Sequence, residues 1–112
     1  MVAYDIYIAF VSWAGGGKSR PVLILREGID RIEMLGITTR FYGKSENDRS
    51  LHLRINDWRQ AGLLQESYIN ATKVISLPRS AMERMVGALT ESDVRRLEEF
   101  LAERFLCDGY DI

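Results

Sequence analysis

The sequence has little of what makes a reactive site conspicuous. In 112 residues there is one cysteine, Cys107, one histidine, His52, and two prolines, Pro21 and Pro78. A lone cysteine excludes an internal disulfide and a cysteine-cage metal site. A lone histidine excludes a His–His acid/base pair and a multi-histidine metal site within one chain. No apolar run approaches the roughly 20 residues that a bilayer-spanning helix requires. Asp5 stands where a secretion signal would carry its basic start, so the expectation is a reducing cytoplasm and no membrane partner. Repeats, low-complexity tracts and linkers are missing too. What remains is an ordinary globular balance, 46% hydrophobic and 28% charged, which predicts one folded domain over residues 1–112.

The net charge of −1 conceals a division: residues 1–80 carry +3 and residues 81–112 carry −4. Twelve of the fifteen basic residues are arginine, the better fork for phosphate. A basic body with an acidic end segment is compatible with a polyanion site on the first part. A bias of this size is by itself an ordinary solvated surface.

Hydrophobic patterning supplies the architecture. Asp5 to Val11 is β-rich, with Ile6, Ile8 and Phe10 expected on one face, and Ser12 to Ser19 reads as a glycine-rich loop. Arg20 to Arg26 is a nearly all-apolar strand, hence central, and Arg31 to Thr39 is a third. After a polar loop from Phe41 to Arg49, Ser50 to Ile55 alternates, with Leu51, Leu53 and Ile55 inward and His52 and Arg54 outward. Asn56 to Glu66 reads as a short helical turn or loop, Tyr68 to Leu77 and Arg84 to Leu89 as strands, and Met82 and Met85 as core filler. Thr90 then has the form of an N-cap, with Asp93 in the first turn. From Glu91 the period turns helical, placing Val94, Leu97, Leu101 and Phe105 on one stripe, while Glu98, Glu99 and Glu103 read as a solvated face. The residues from Cys107 to Ile112 read as a frayed tail. The fold class is mainly β (α+β), an antiparallel barrel or strongly bent sheet closed by a C-terminal helix. No helix separates the early strands, which argues against parallel βαβ units.

Gly17-Lys18-Ser19 after a strand imitates the end of a phosphate-binding P-loop, but Ser12 stands where the first glycine belongs. The motif also needs a helix directly after the serine to turn its amides toward the phosphates, and Arg20-Pro21-Val22-Leu23 is a strand. A Walker site is rejected. No Ser/His/Asp arrangement is legible either.

The stretch Tyr4 to Leu25 (YDIYIAFVSWAGGGKSRPVLIL) resembles the opening of the MazF/PemK-like ribonuclease toxins of bacterial toxin–antitoxin systems, with an aspartate-headed strand, a glycine-containing loop and Arg-Pro-Val. Met34 to Arg40 (MLGITTR) is similar to that family's third strand, Tyr68 to Leu77 to a later one, and Arg84 to Ala102 to the closing strand and helix. The ordered set, rather than any one motif, carries the resemblance. It implies an SH3-like, partly open barrel with a C-terminal helix, acting as a homodimer. It implies metal-independent, cofactor-free cleavage of single-stranded RNA at short sequences, and a cognate antitoxin that lays a disordered acidic segment across the groove.

Carried over residue by residue, the resemblance implies that Arg20, before proline, and Thr38 are catalytic. When a ribose 2′-OH attacks the adjacent phosphorus, negative charge builds on the phosphoryl oxygens, which a guanidinium and a hydroxyl are suited to meet. Trp13, Gly17, Lys18, Ser19, Thr39, Arg40 and Asn70 are the expected RNA-contacting residues, Trp13 by stacking and Lys18 on phosphate. Lys44 and Arg49 would extend the phosphate track. Two departures stand out: Gly15-Gly16 replaces an acidic-Gln pair of many members, and Asn70-Ala71 replaces an acidic-Gln pair that helps contact RNA in some. A competing reading from another class is a non-catalytic toxin of the same fold that binds a protein such as DNA gyrase.

Overall fold

The computed structural model describes residues 1–106, and the expected frayed tail and the side chain of Phe105 lie outside that description. Six strands form one antiparallel sheet, β1 (Asp5–Trp13), β2 (Gly16–Glu27), β3 (Arg31–Thr38), β4 (His52–Arg54), β5 (Tyr68–Pro78) and β6 (Met82–Ala88), in the order β4-β5-β3-β2-β1-β6. The sheet is bent but not closed, with β4 and β6 at its edges. A short helix, α1 (Glu46–Arg49), lies in the β3–β4 connection, and α2 (Glu91–Leu101) follows the last strand and runs into one wider turn, Ala102–Leu106. No helix among the described residues is long and apolar enough to cross a membrane.

The apolar run of β2 explains its central place. Leu23 and Leu25 pack toward one face, with Ile6, Leu35, Ile37, Ile55, Ile69 and the α2 residues Leu97 and Phe100. Val22 and Ile24 pack toward the other, with Ala9, Ile32 and Met34. A strand covered on both faces needs apolar side chains at every position. Strand β5 serves both clusters by slipping phase. Between the pairs Gly36↔Asn70 and Met34↔Ile75 it advances five residues while β3 advances two. Ile69 and Ala71 therefore face the helix side, and Ile75 and Leu77 the opposite side, although all four are odd-numbered.

Helix α2 starts as the sequence suggests, with the Thr90 side chain accepting from the Asp93 N–H. Asp93 does more than cap. It is almost wholly buried, and its carboxylate accepts the backbone N–H of Asn56 at 3.2 Å and of Asp57 at 2.8 Å, while Arg96 donates to it at 2.8 Å. The 55–67 segment, without regular structure beyond turns, is thereby fastened to the helix start. A second fastening is steric: Gly62, at φ +95°, lies against the Val86 carbonyl, and Gly87 against the Ala61 carbonyl, with no room for a Cβ at either.

Several expectations are corrected. The Ser12–Ser19 loop is a tight β-hairpin, with β1 and β2 continuing almost to its tip. Phe10 is exposed and Ala9 buried, because two shifts in the β1–β6 register rotate the strand. Met85 is half exposed, since β6 is an edge. On α2, Phe100 joins Leu97 in the buried stripe. His52 is buried rather than outward: the 41–49 segment folds back over β4, Nδ1 donates to the Asp48 carbonyl at 2.6 Å, and Phe41 packs edge-on at 6.4 Å.

Candidate functional site

The β1–β2 hairpin uses each of its three glycines differently. Gly15 takes φ +86° at the turn, which L side chains rarely adopt. Gly16 pairs with Trp13, whose indole lies over it so closely that a Cβ would come 3.3 Å from the ring nitrogen. Gly17 is where the Phe10 ring crosses the backbone. Trp13 is held half exposed at the rim, and the Arg20 guanidinium sits 5.3 Å from the centre of its ring. That is cation–π distance, worth roughly 0.5–1 kcal/mol at an exposed position. Arg20 makes no side-chain hydrogen bond or ion pair among the described residues, so the indole is what orients it.

Thr38 ends β3 opposite Tyr68 of β5. Its Oγ1 accepts the Arg40 backbone N–H at 3.0 Å, which turns the chain out of the sheet and leaves the hydroxyl proton free to donate. Tyr68 backs this corner, stacked on Phe41 at 4.3 Å between ring centres. Burial, with the hydrogen bond it donates to Glu66 at 3.1 Å, pushes its phenol up to about 12, so it stays neutral.

Arg20 and Thr38 meet where two cavities join. One, about 220 Å³, is lined by Lys18, Ser19, Thr39 and Arg40 together with Arg20, Pro21, Ile37 and Thr38. The other, about 250 Å³, shares those last four and adds Trp13, Asn70 and Lys73 among its walls. Among the described residues, four cations and no carboxylate line the pair. Every expected contact residue is thus gathered in one groove except Gly17, which lines neither cavity and serves the Phe10 packing. Lys44 lies outside the groove, and Arg49 sits 6.0 Å over Phe41 instead.

Two neighbours escaped the sequence reading. Lys73 lies in the phase slip of β5, whose bend is set by the Asn70 side-chain oxygen accepting from the Thr72 N–H at 3.0 Å and hydroxyl at 2.6 Å. An Asn followed two residues later by Thr is the local signal for such a bend. Glu83 comes from β6 to accept the Ser19 hydroxyl at 2.6 Å, a contact across 64 residues that no local pattern announces.

Residues 3–105 match the family model described as PemK-like, MazF-like toxin of type II toxin–antitoxin system. The chain belongs to that family. A PemK/MazF-like relative from Mycolicibacterium smegmatis strain ATCC 700084, named a probable endoribonuclease MazF, is 35% identical over 99 residues, covering 87% of this chain and 89% of its own. The PemK/MazF-like fold is seen again in the Mycobacterium tuberculosis toxin MazF-mt6, with a TM-score of 0.69 at 24% identity over 90% of this chain and 95% of that one. A solved mycobacterial endoribonuclease in complex with its cognate antitoxin superposes with a TM-score of 0.65 at 15% identity, over 92% of this chain and 90% of that one.

Proposed function

We propose that this toxin is an endoribonuclease that cuts single-stranded RNA at short sequences without a metal ion, Arg20 and Thr38 being its catalytic residues. One observation carries the reading: a guanidinium and a free hydroxyl proton converge between two joined cavities whose walls, among the described residues, hold four cations and no carboxylate. The relative that is named a probable endoribonuclease supports it.

In the proposed step the ribose O2′ bonds to the adjacent phosphorus and the bond from phosphorus to the 5′ oxygen breaks. The 2′ proton leaves, and a proton reaches the departing oxygen. The products are a 2′,3′-cyclic phosphate and a 5′-hydroxyl. Arg20 meets the charge growing on the phosphoryl oxygens, and the Thr38 hydroxyl donates to the same group. Lys18, Ser19, Thr39 and Arg40 flank the strand on one side of this point, and Trp13 and Asn70 on the other. Gly17 contributes by letting the hairpin lie flat on Phe10. The same cation-lined groove suits an acidic antitoxin segment, and the active form is a homodimer in a reducing cytoplasm.

The test is incubation with a long mixed-sequence RNA in EDTA, mapping the new ends, beside Arg20→Ala. The expected result is cuts at one short motif, reduced by about 10²–10³ or more in the variant. Intact RNA at high protein excess overturns the reading in favour of a toxin that binds a protein target.

A further inference from the structure

A third cavity, about 420 Å³, continues the groove beyond Thr39. It shares Pro21 and Thr39 with the Arg20–Thr38 cavity, so the two are contiguous. Its volume lies within the roughly 300–1,000 Å³ of small-molecule sites. The walls are the apolar side chains of Ile8, Val86, Leu63 and Leu64, and only Gln65 and Arg84 bring long polar groups. Neither of those two makes a side-chain hydrogen bond or ion pair among the described residues.

Leu64 is the telling residue. It is 95% exposed, yet it does not sit on a loose loop. The segment that carries it is pinned at one end by the two amides on the Asp93 carboxylate. In the middle it is pinned by the glycine contacts Gly62–Val86 and Gly87–Ala61, and the Ser67 hydroxyl closes it by donating to the Gln65 carbonyl at 2.8 Å. A rigid backbone that holds a leucine out in water, beside an unengaged amide and guanidinium, is preorganised for a flat, amphipathic ligand.

We propose that this cavity is a nucleobase subsite: it takes one unstacked base of the RNA strand whose phosphate lies at Arg20 and Thr38. Leu63 and Leu64 cover the base face, the Gln65 amide hydrogen-bonds its edge, and Arg84 meets the flanking phosphate. A base has a π-face to lay on apolar side chains and an edge that a carboxamide pairs with through both donor and acceptor. This inference rests on the ribonuclease reading for the identity of the strand, but its test does not depend on cutting.

Isotope-labelled protein is titrated with the four nucleoside 5′-monophosphates and, as a base-free control, with ribose 5-phosphate, following the Leu63 and Leu64 methyl and Gln65 side-chain amide signals. The expected result is movement of these signals with one base in preference to the others and none with ribose 5-phosphate. Leu64→Ser, at an exposed position that leaves the core alone, should weaken the preferred base on the order of tenfold. Shifts confined to residues around Arg20 and Thr38, or equal shifts with ribose 5-phosphate, overturn the subsite. If the base shifts appear while long RNA stays uncut, the ribonuclease reading falls and the base site stands.

Discussion

At the scale of single residues, the groove depends on side chains whose environment leaves them something to give. Among the described residues Arg20 has no carboxylate partner and leans on an indole; Thr38 has its oxygen engaged and its proton free. Under the proposed function Trp13 therefore has two tasks, orienting Arg20 with one part of its ring and offering the exposed remainder to RNA. Trp13→Ala should lower kcat about tenfold and raise KM as well, while Trp13→Phe keeps most of both. Steady-state kinetics on a short oligonucleotide carrying the mapped motif decides it, and a raised KM with unchanged kcat would show that the indole does not orient Arg20. The choice of Arg20 and Thr38 was legible because the Arg-Pro-Val and apolar-Thr-Thr tracts occur in the family's order. Lys73 and Glu83 were not, since a phase slip within β5 brings the first to the groove and the approach of β6 brings the second to Ser19.

At the scale of elements, strands and the final helix announce themselves by period, and the connections between them do not. The alternation in Ser50 to Ile55 identifies a strand correctly. It misplaces His52, because what lies over the outer side of β4 is decided by a segment that returns from the previous loop. Asp93 illustrates the same limit. Its position three residues after Thr90 shows a capping role, whereas the two amides it accepts belong to residues 36 and 37 positions earlier. Removing it leaves the half-buried N–H groups of Asn56 and Asp57 without their acceptor and takes from Arg96 its carboxylate, with only the Arg54 carbonyl remaining to it among the described residues. Asp93→Ala should therefore cost about 2–4 kcal/mol in urea unfolding and strip hydrogen-exchange protection from Asn56 and Asp57 before the sheet is affected. Uniform loss of protection across the molecule would mean that the 55–67 segment is not a separable unit.

At the scale of the whole molecule, the net charge of −1 says little about affinity for a polyanion, because Lys18, Arg20, Arg40 and Lys73 are collected on one groove. Binding of a non-cleavable single-stranded oligonucleotide should weaken with salt, with a log–log slope of roughly −3 for four phosphates neutralised. Lys73→Gln should reduce that slope by about 0.7. An unchanged slope would place Lys73 outside the bound strand's path.

The phase slip in β5 also gives the protein something like a reading frame. Three residues, Thr72 to Val74, separate the last side chain on the helix side, Ala71, from the first on the opposite side, Ile75. In an uninterrupted strand, residues four apart share a face. Loss of one residue from this spacer would restore simple alternation and still deliver Ile75 and Leu77 to their own cluster, at the cost of the bend that presents Lys73. Loss of two would turn both toward the helix side, where that core is already filled, and expose the cluster they leave. Insertions and deletions here are thus sorted by parity rather than by length, and Lys73 of the groove and the second core share a single three-residue hinge of sequence.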